Sequence, residues 1–339
     1  FGVGSIQPRR TDITYHTRMG DCKDIALLLV AMLRYAGIDA RIALVRTRSQ
    51  GPLNMTIPSM DDFNHALCYV NCDGGFFLDG TVADTDIREL PAEDRGIMAL
   101  VINDLHAAPQ PPSKSNHAFI GTDSAFYEVN NIEIINDISI QGDGSALITR
   151  IMTKQGSFAS ESRRSLKIAE SVKLKSLTEY WNKAFPGSSV TAYKVLGDSL
   201  RQPVKYRYKL SVPSYAKSID GLFMVDPFLI KSNYYHNYCL KEKRDYPIQF
   251  SSLNTIKTIN HFQIPKGYRI DSLPQNKVYS HKKFDAAFTY AMDNGIITVA
   301  SIISIKDYQI TPKEYEQFRE FSRLVSTAEN STLIFIKNE

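Results

Sequence analysis

Residues 20–37 restrict the fold more than any other part of the 339-residue chain, because they form its most clearly helical segment. Asp21 opens the segment, residues 25–32 are apolar on every side, and Gly37 stands where a C-cap glycine belongs. A helix that is apolar all round is typical of a protein interior and not of a surface. The sequence therefore predicts an interior helix over 20–37.

Three strands are predicted after this helix, where β-branched and aromatic residues are bounded by turn-forming ones. They are Ala40 to Val45, Phe63 to Val70 and Phe76 to Asp79. A loop rich in Gly, Pro and Ser (49–62) separates the first two, and a turn (71–75) joins the last two. A helix followed by antiparallel strands predicts an α+β fold.

The hairpin formed by the last two strands places His65 near Asp79. If its loop has an odd number of residues, Val70 pairs with Phe76, and Asp79 then opposes Leu67. His65 and Asp79 become diagonal neighbours on one face, about 7–8 Å apart at the backbone, which their side chains can span. A two-residue loop would put them on opposite faces. A carboxylate in this position fixes the imidazole tautomer and stabilises imidazolium. The alternative is an ordinary edge histidine and a turn aspartate.

Cys22 lies in the first turn of the predicted helix. Unpaired N–H groups and the helix dipole favour a thiolate there, which makes a cysteine nucleophilic. Lys23 adds to this effect, whereas Asp21 and Asp24 oppose it. The alternative is a small core cysteine, because free cysteine is among the most buried residue types.

Four short blocks follow one another along residues 15–85. They are Gly20-Asp21-Cys22-Lys23-Asp24, Leu33 to Arg41, Phe63-Asn64-His65-Ala66 and Leu78-Asp79-Gly80-Thr81. In this order they resemble the transglutaminase-like superfamily, a branch of the papain-like cysteine enzymes. The first block, followed by a β-rich tail, is similar to bacterial proteins in which this domain lies between two domains of unknown function. The resemblance implies a papain-like α+β core built from a buried helix and an antiparallel sheet.

The resemblance implies Cys22 as the nucleophile, His65 as general base and then acid, and Asp79 as the residue that orients the imidazole. It also implies thioester chemistry, in which an acyl group passes from a peptide-like amide to water or to an amine. We expect hydrolysis by a peptidase or amidase, with a protein or peptide as substrate and with neither a cofactor nor a metal. Besides the backbone N–H of Cys22, the second oxyanion donor is left open between Gln7 and Tyr15.

The alternative function is a catalytically inactive scaffold that binds proteins or glycans through its β-rich tail. Only 21 residues precede Cys22, whereas the family usually has helices there. The core is therefore expected to be N-terminally truncated, which would leave one side of the cleft open. Access to Cys22 separates the two hypotheses, since a scaffold has no need of an accessible thiol.

A metal site is the other chemistry that the hairpin suggests. His65, Cys68 and Cys72 offer only three ligands, at a spacing that is unusual for zinc, and parity turns Cys68 away from His65. A disulfide between the two cysteines is not expected, because an extended segment of this length separates them too far. The remaining histidines, including His261, are scattered, and we interpret them as structural or solvated.

Composition narrows the class of protein. The 40 Lys and Arg against 36 Asp and Glu are spread along the chain, which gives no reason to expect a nucleic-acid partner. With 43% apolar residues the chain is too hydrophobic for disorder, and no apolar run reaches the roughly 18 residues of a membrane-spanning helix. Phe1 in place of Met indicates a processed protein or a fragment. Together with the resemblance, it favours a periplasmic or otherwise extracytoplasmic location.

The chain divides into three predicted parts. Residues 1–105 form the transglutaminase-like core, and the Pro- and Ser-rich stretch within 106–117 predicts a linker. Residues 118–339 form a β-rich, sandwich-like region, for which a split into two subdomains near 190 is one option.

The β-rich region has its own predicted elements. Strict alternation over Val204 to Val212 predicts a half-buried antiparallel strand. Further strands are predicted at 146–154, 296–305 and 333–336, and helices over 171–185 and after the capping box that begins at Thr311.

Overall fold

The protein is described here by a computed structural model, which covers residues 7–57, 59–87, 89–102, 117–123 and 130–338. The chain forms two compact units, Phe1–Ala125 and Phe126–Glu339. The helices and strands of the first unit are α1 (Thr11–Thr17), α2 (Cys22–Tyr35), β1 (Ala40–Val45), β2 (His65–Val70), β3 (Phe76–Leu78), β4 (Met98–Ile102) and β5 (His117–Gly121). The predicted helix and all three predicted strands of this unit are therefore present.

One antiparallel sheet, in the order β3-β2-β1-β4-β5, forms the centre of the first unit. Strand β5 pairs with β4 along its whole length, from Met98–Gly121 to Ile102–His117. The predicted start of the β-rich region at 118 is therefore wrong, because that strand completes the first sheet, and the first unit extends to Ala125. The predicted linker, 106–117, lies outside the described residues except for His117.

The hairpin of β2 and β3 has the odd-loop register. Val70 pairs with Phe76, and Cys68 pairs with Leu78. The turn between them uses left-handed backbone at Gly74 (φ 88°) and Gly75 (φ 84°), which glycine adopts without steric cost. This register sets the end of β3 diagonally opposite the start of β2, as the sequence predicts.

Helix α2 begins with a reciprocal capping box. The Asp21 side chain accepts from the Asp24 N–H, and the Asp24 side chain accepts from the Asp21 N–H. The helix ends in a Schellman arrangement, in which the N–H of Ile38 reaches the carbonyl of Leu33 and Gly37 is left-handed (φ 80°). Both ends therefore form where the sequence places them.

Only one side of α2 is well buried. Val30 packs with Ala40, Cys68, Val70 and Leu78 on one face of the sheet. On the other side of the helix, Met32 is 53% and Tyr35 97% exposed. The prediction of a helix buried all round is thus wrong on that side, because the sheet can cover only one helix face. The opposite face of the sheet carries a second apolar cluster that includes Leu67, Tyr69 and Phe77.

The second unit contains fourteen strands and four helices within its described residues. In chain order they are β6 (Asn131–Ile140), β7 (Ala146–Lys154), α3 (Ser157–Leu166), α4 (Glu170–Ala184), β8 (Ser189–Gly197), β9 (Val204–Val212), β10 (Lys217–Ile219), β11 (Leu222–Val225), α5 (Tyr234–Tyr238), β12 (Ile248–Gln249), β13 (Asn254–Gln263), β14 (Tyr268–Ile270), β15 (Lys277–Ser280), β16 (Phe284–Asp293), β17 (Ile296–Ile305), β18 (Gln309–Ile310), α6 (Tyr315–Glu329) and β19 (Leu333–Lys337).

The second unit is sandwich-like, as predicted. An eight-stranded sheet, β15-β16-β17-β13-β6-β7-β9-β8, and a four-stranded sheet, β10-β11-β19-β14, share one apolar core. The split near 190 is not found, because β8, which begins at Ser189, pairs with β9 in the large sheet and lies in the same compact unit. One pairing in that sheet, between β6 and β13, is parallel and joins residues more than 120 positions apart.

Helix α6 contributes aromatic side chains to that core. The predicted capping box at Thr311 and Glu314 is present, and Tyr315, Phe318 and Phe321 are buried on one face of the helix that follows. Across the residues that the structure describes, no helix combines the length and the apolar character needed to cross a membrane.

Candidate active site

The three residues singled out in the sequence lie at the ends of three elements of the first unit. Cys22 is the first residue of α2, His65 is the first residue of β2, and Asp79 directly follows β3. These ends pack closely together. The room at Gly80 shows how closely, since an added Cβ there would lie only 2.6 Å from the side chain of Ile25 in α2. Glycine at 80 therefore lets the hairpin approach the helix that carries the thiol.

His65 and Asp79 form a hydrogen-bonded pair. His65 Nε2 lies 3.3 Å from Asp79 Oδ2, and their side chains are only 15% and 2% exposed. The other carboxylate oxygen of Asp79 accepts hydrogen bonds from Thr81, at 2.8 Å from its N–H and 2.6 Å from its hydroxyl. Burial opposes the charge on Asp79, but its bonds with His65 and Thr81 outweigh burial and lower the pKa of the carboxyl. One oxygen is thus fixed by the turn and the other is directed at the imidazole.

The Cys22 thiol is half-buried, and its pKa is lowered. The imidazole of His65 is the largest cause of this shift, through hydrogen bonding and through its charge, and the N–H of Ala66 adds to it. Burial and the carboxylate of Asp21 act in the opposite direction. Lys23, which the sequence suggested as a further cause, contacts Asp21 instead. His65 is therefore the group that favours the thiolate.

His65 is held in its charged form. Burial opposes that charge, but hydrogen bonds with Asp79 and Cys22 and the charges of Asp94 and Asp79 raise its pKa to about 10. The lowered pKa of Cys22 and the raised pKa of His65 both shift the pair toward thiolate and imidazolium, which is the charge state that nucleophilic cysteines use.

Asp94 is a fourth member of this group, and the sequence analysis did not find it. It ends a short 3₁₀ helix (Ala92–Asp94), is 3% exposed, and places Oδ2 3.9 Å from His65 Nε2. Its other oxygen, Oδ1, has no hydrogen-bond partner among the described residues. Burial, together with the charges of Asp79 and Glu93, raises its pKa to about 6, although His65 acts to lower it. The mixed charges around it, in Glu93-Asp94-Arg95, are typical of a solvated loop, so no pattern in the sequence distinguishes it.

His65, Asp79 and Asp94 bring one ring nitrogen and two carboxylate oxygens within 4.8 Å of one another. Three donors at such distances are one requirement for holding a metal ion. Here the ring nitrogen already hydrogen bonds directly to Asp79, so a cation could enter only by replacing that bond. A proton on His65 balances the same carboxylates without any rearrangement.

The other cysteines lie away from this group. Cys68 packs in the apolar cluster beneath α2, and burial raises the pKa of its thiol to about 12. Cys72 is exposed in the hairpin turn, and Cys239 is buried in the second unit. All four cysteines are free thiols. Because Cys68 lies on the opposite sheet face from His65, the structure does not assemble His65, Cys68 and Cys72 as a ligand group.

Gln7 and Tyr15, the two candidates for a second oxyanion donor, are both exposed. The Tyr15 ring lies edge-on to His16 on α1, at 5.5 Å between ring centres. Cys22 is the first residue of α2, where the backbone N–H groups have no hydrogen-bond partner within the helix. The second donor stays a prediction.

Comparison with protein families gives two matches. Residues 5–77 match the transglutaminase-like superfamily, and residues 221–335 match a domain of unknown function with a solved structure, DUF3858. The first match agrees with the four sequence blocks in residues 15–85, and the second lies within the predicted β-rich region. A comparison with curated proteins gives no significant match.

A solved structure with a similar fold is that of a putative protease from Parabacteroides distasonis. The TM-score is 0.52 at 16% sequence identity, and the similarity covers 97% of this chain. The chain spans 46% of the length of that protein. At this identity the similarity supports the shared fold of an α+β core followed by β-rich material.

Proposed function

We propose that the protein is a cysteine-dependent hydrolase of peptide-like amides, a peptidase or amidase, with Cys22, His65 and Asp79 as its catalytic triad. One observation carries this proposal: a buried carboxylate hydrogen bonds to an imidazole, and that imidazole is the main cause of the lowered pKa of a half-buried thiol. The transglutaminase-like domain agrees with such chemistry. The bacterial, extracytoplasmic location that the resemblance implies is part of the same proposal.

The reaction follows from the charge state of the site. The Cys22 thiolate attacks the amide carbonyl, and the resulting oxyanion is stabilised by the N–H of Cys22. Because Nε2 of His65 faces Asp79, Nδ1 is the nitrogen that gives its proton to the departing amine. The C–N bond breaks and a thioester remains. Water then attacks the thioester as His65 takes one of its protons, and the acid leaves as the thiol is regained.

Access to the thiol favours an enzyme over an inactive scaffold. Cys22 is half-buried, whereas Cys68 on the neighbouring strand is completely covered. A scaffold would have no use for a thiol with a lowered pKa, or for two carboxylates grouped around one imidazole. We place hydrolysis before cross-linking because the described residues include no second site beside Cys22 with features suited to an amine.

Alkylation with iodoacetamide tests the nucleophile directly. The rate at each cysteine, followed by peptide mapping from pH 4 to 10, should be highest at Cys22 and should keep its value below neutrality. Cys72 is the matched control, since it is exposed in the hairpin turn, away from the group of His65, Asp79 and Asp94. Equal, slow labelling of all four cysteines would overturn the proposal.

A peptide assay tests the activity itself. Hydrolysis of a fluorogenic peptide library should be lost in Cys22→Ser and kept in Cys72→Ser. Release of the amine without any incorporation of an added primary amine would support hydrolysis over cross-linking. Activity that survives Cys22→Ser would contradict the assigned nucleophile.

A further inference from the structure

Asp94 presents a carboxylate to the same nitrogen that Asp79 binds. Its Oδ2 lies 3.9 Å from His65 Nε2, against 3.3 Å for Asp79 Oδ2. Among the described residues, His65 is the cation that lies within 4.0 Å of the Asp94 carboxylate. The neighbouring Arg95 directs its Nε at the carbonyl of Leu90 instead. The carboxylate of Asp94 thus faces the imidazole of His65 and does not pair with the neighbouring Arg95.

The position of Asp94 is costly for the fold. Only 3% of the surface of the residue is exposed, and Oδ1 has no hydrogen-bond partner among the described residues. A buried carboxylate oxygen without a hydrogen-bond partner loses its hydration, and a nearby cation can offset that loss. Asparagine in this position would carry no charge to desolvate. The arrangement therefore makes physical sense if the charge itself has a use.

We propose that Asp94 is a positioning residue for the general base, which keeps His65 in its charged form beside Cys22 by a second carboxylate on Nε2. This inference rests on the proposed function and extends it, because the family resemblance assigns only one carboxylate, Asp79. With Asp94 ionised, the thiolate and imidazolium are favoured over the neutral thiol and imidazole. With Asp94 neutral, one of the two charges that hold the imidazolium is removed.

Other charged groups around His65 determine the effect of pH. From α2 these are the thiol of Cys22 and, next to it, Asp21; from the end of β3, Asp79; and from the 3₁₀ helix, Glu93 beside Asp94. Asp79 already loses its proton well below neutrality, so it stays charged while Asp94 titrates. Asp94, with a pKa of about 6, is then the carboxylate of this group whose charge changes just below neutral pH.

The effect of Asp94 on His65 can be measured without a substrate. NMR of the ¹³C-labelled histidine rings, from pH 5 to 11 on the full chain, gives the pKa of His65. We expect Asp94→Asn to lower it by about one unit, the loss of one partly screened carboxylate. The pKa for alkylation of Cys22 should rise by about the same amount. Asp73→Asn, in the exposed hairpin turn, is the matched control and should change neither value.

Thermal unfolding separates this role from a structural one. At pH 7.5 the melting temperature of Asp94→Asn should equal or exceed that of the native chain, because a desolvated charge is removed. Asp94→Ala serves as a second variant if the amide disturbs the site. Unchanged titrations of His65 and Cys22 in a folded variant would overturn the inference. Should the native chain hydrolyse no peptide while His65 still shifts, the proposed function fails and the role of Asp94 stands.

Discussion

Two histidine–aspartate hydrogen bonds among the described residues have nearly the same length and very different surroundings. His65 and Asp79 lie 3.3 Å apart in the first unit, and His261 and Asp137 lie 3.0 Å apart in the second. The side chains of the first pair are 15% and 2% exposed, and those of the second are 39% and 60% exposed. Distance alone therefore says little about what such a pair can do.

The surroundings account for the difference. His261 and Asp137 are direct neighbours on the parallel strands β13 and β6, on a face of the large sheet where Lys209 is exposed as well. Water screens the attraction between the two charges of such a pair, so the pair contributes little to stability. Around His65, burial, a second carboxylate and a thiol all act on one ring. Burial makes each of these charges count for more, which is how a common residue pair becomes a candidate catalytic one.

The largest contrast should come from replacing the two histidines. His65→Gln should lower hydrolysis at least about 10³-fold and alkylation of Cys22 at pH 7 by about 10–100-fold, because the thiolate loses its imidazolium partner. His261→Gln should leave both unchanged. Peptide turnover and iodoacetamide kinetics on the same preparations measure this. Equal effects of the two substitutions would remove the distinction between the pairs.

The two aspartates should differ by a smaller factor. Asp79→Asn should lower kcat by about 10²-fold, because the amide favours the wrong tautomer of the imidazole. Thr81 would still hold the side chain at position 79, so KM should change little. Asp137→Asn is the control and should have native kinetics. A native kcat in Asp79→Asn would contradict the role given to this carboxylate.

The pairs should also differ in how pH affects stability. The folded pKa of His65 is raised to about 10, above the ordinary 6.5, so its stabilising contribution is complete below about pH 6.5 and is lost as the pH rises through 10. In a Cys22→Ser background the thiol can neither titrate nor add its share to the raised pKa of His65, so the free energy of unfolding should fall between pH 7 and 10 by on the order of 2 kcal/mol, through the carboxylates that remain. Adding His65→Gln should flatten this decline, and adding His261→Gln should not. Urea unfolding at several pH values measures it; a decline that persists in His65→Gln would argue against the raised pKa.

The smallest expected effect belongs to the exposed pair itself. A double-mutant cycle of His261→Ala and Asp137→Ala should give a coupling energy below about 1 kcal/mol, which falls further with added salt. Thermal or urea unfolding at pH 6 measures the cycle. A coupling above about 2 kcal/mol would mean that exposure does not separate the two pairs.

Local patterns predict much of the first unit. The register of the β2–β3 hairpin follows from the number of turn residues, so His65 and Asp79 could be placed together, and the start of α2 follows from its N-cap Asp21. Each of these inferences concerns residues close in sequence. Cys22 is joined to this pair only by the resemblance to the transglutaminase-like superfamily. The catalytic roles themselves stay predictions until the variants above are measured.

Non-local contacts set the boundary of what the sequence predicts. Strand β5 pairs with β4 although a Pro- and Ser-rich stretch separates the two in the sequence. Strand β6 pairs in parallel with β13, more than 120 residues further along the chain. Neither pairing can be predicted from residues close in sequence. Asp94 shares this property, because it is buried through its approach to His65, 29 residues earlier. Helix α3 escaped prediction for a different reason, since its buried residues include Ser160 and Arg163 instead of an apolar stripe.

The absence of a side chain at position 80 has a consequence for the whole first unit. The residue is adjacent to Asp79, and Ile25, which it meets, lies one turn beyond Cys22. An added methyl group would lie too close to the Ile25 side chain, so either that side chain or the end of the hairpin would have to move, while every reacting atom would stay chemically intact. The absence of a side chain at position 80 is therefore as much a condition for the arrangement of the candidate site as the functional groups themselves.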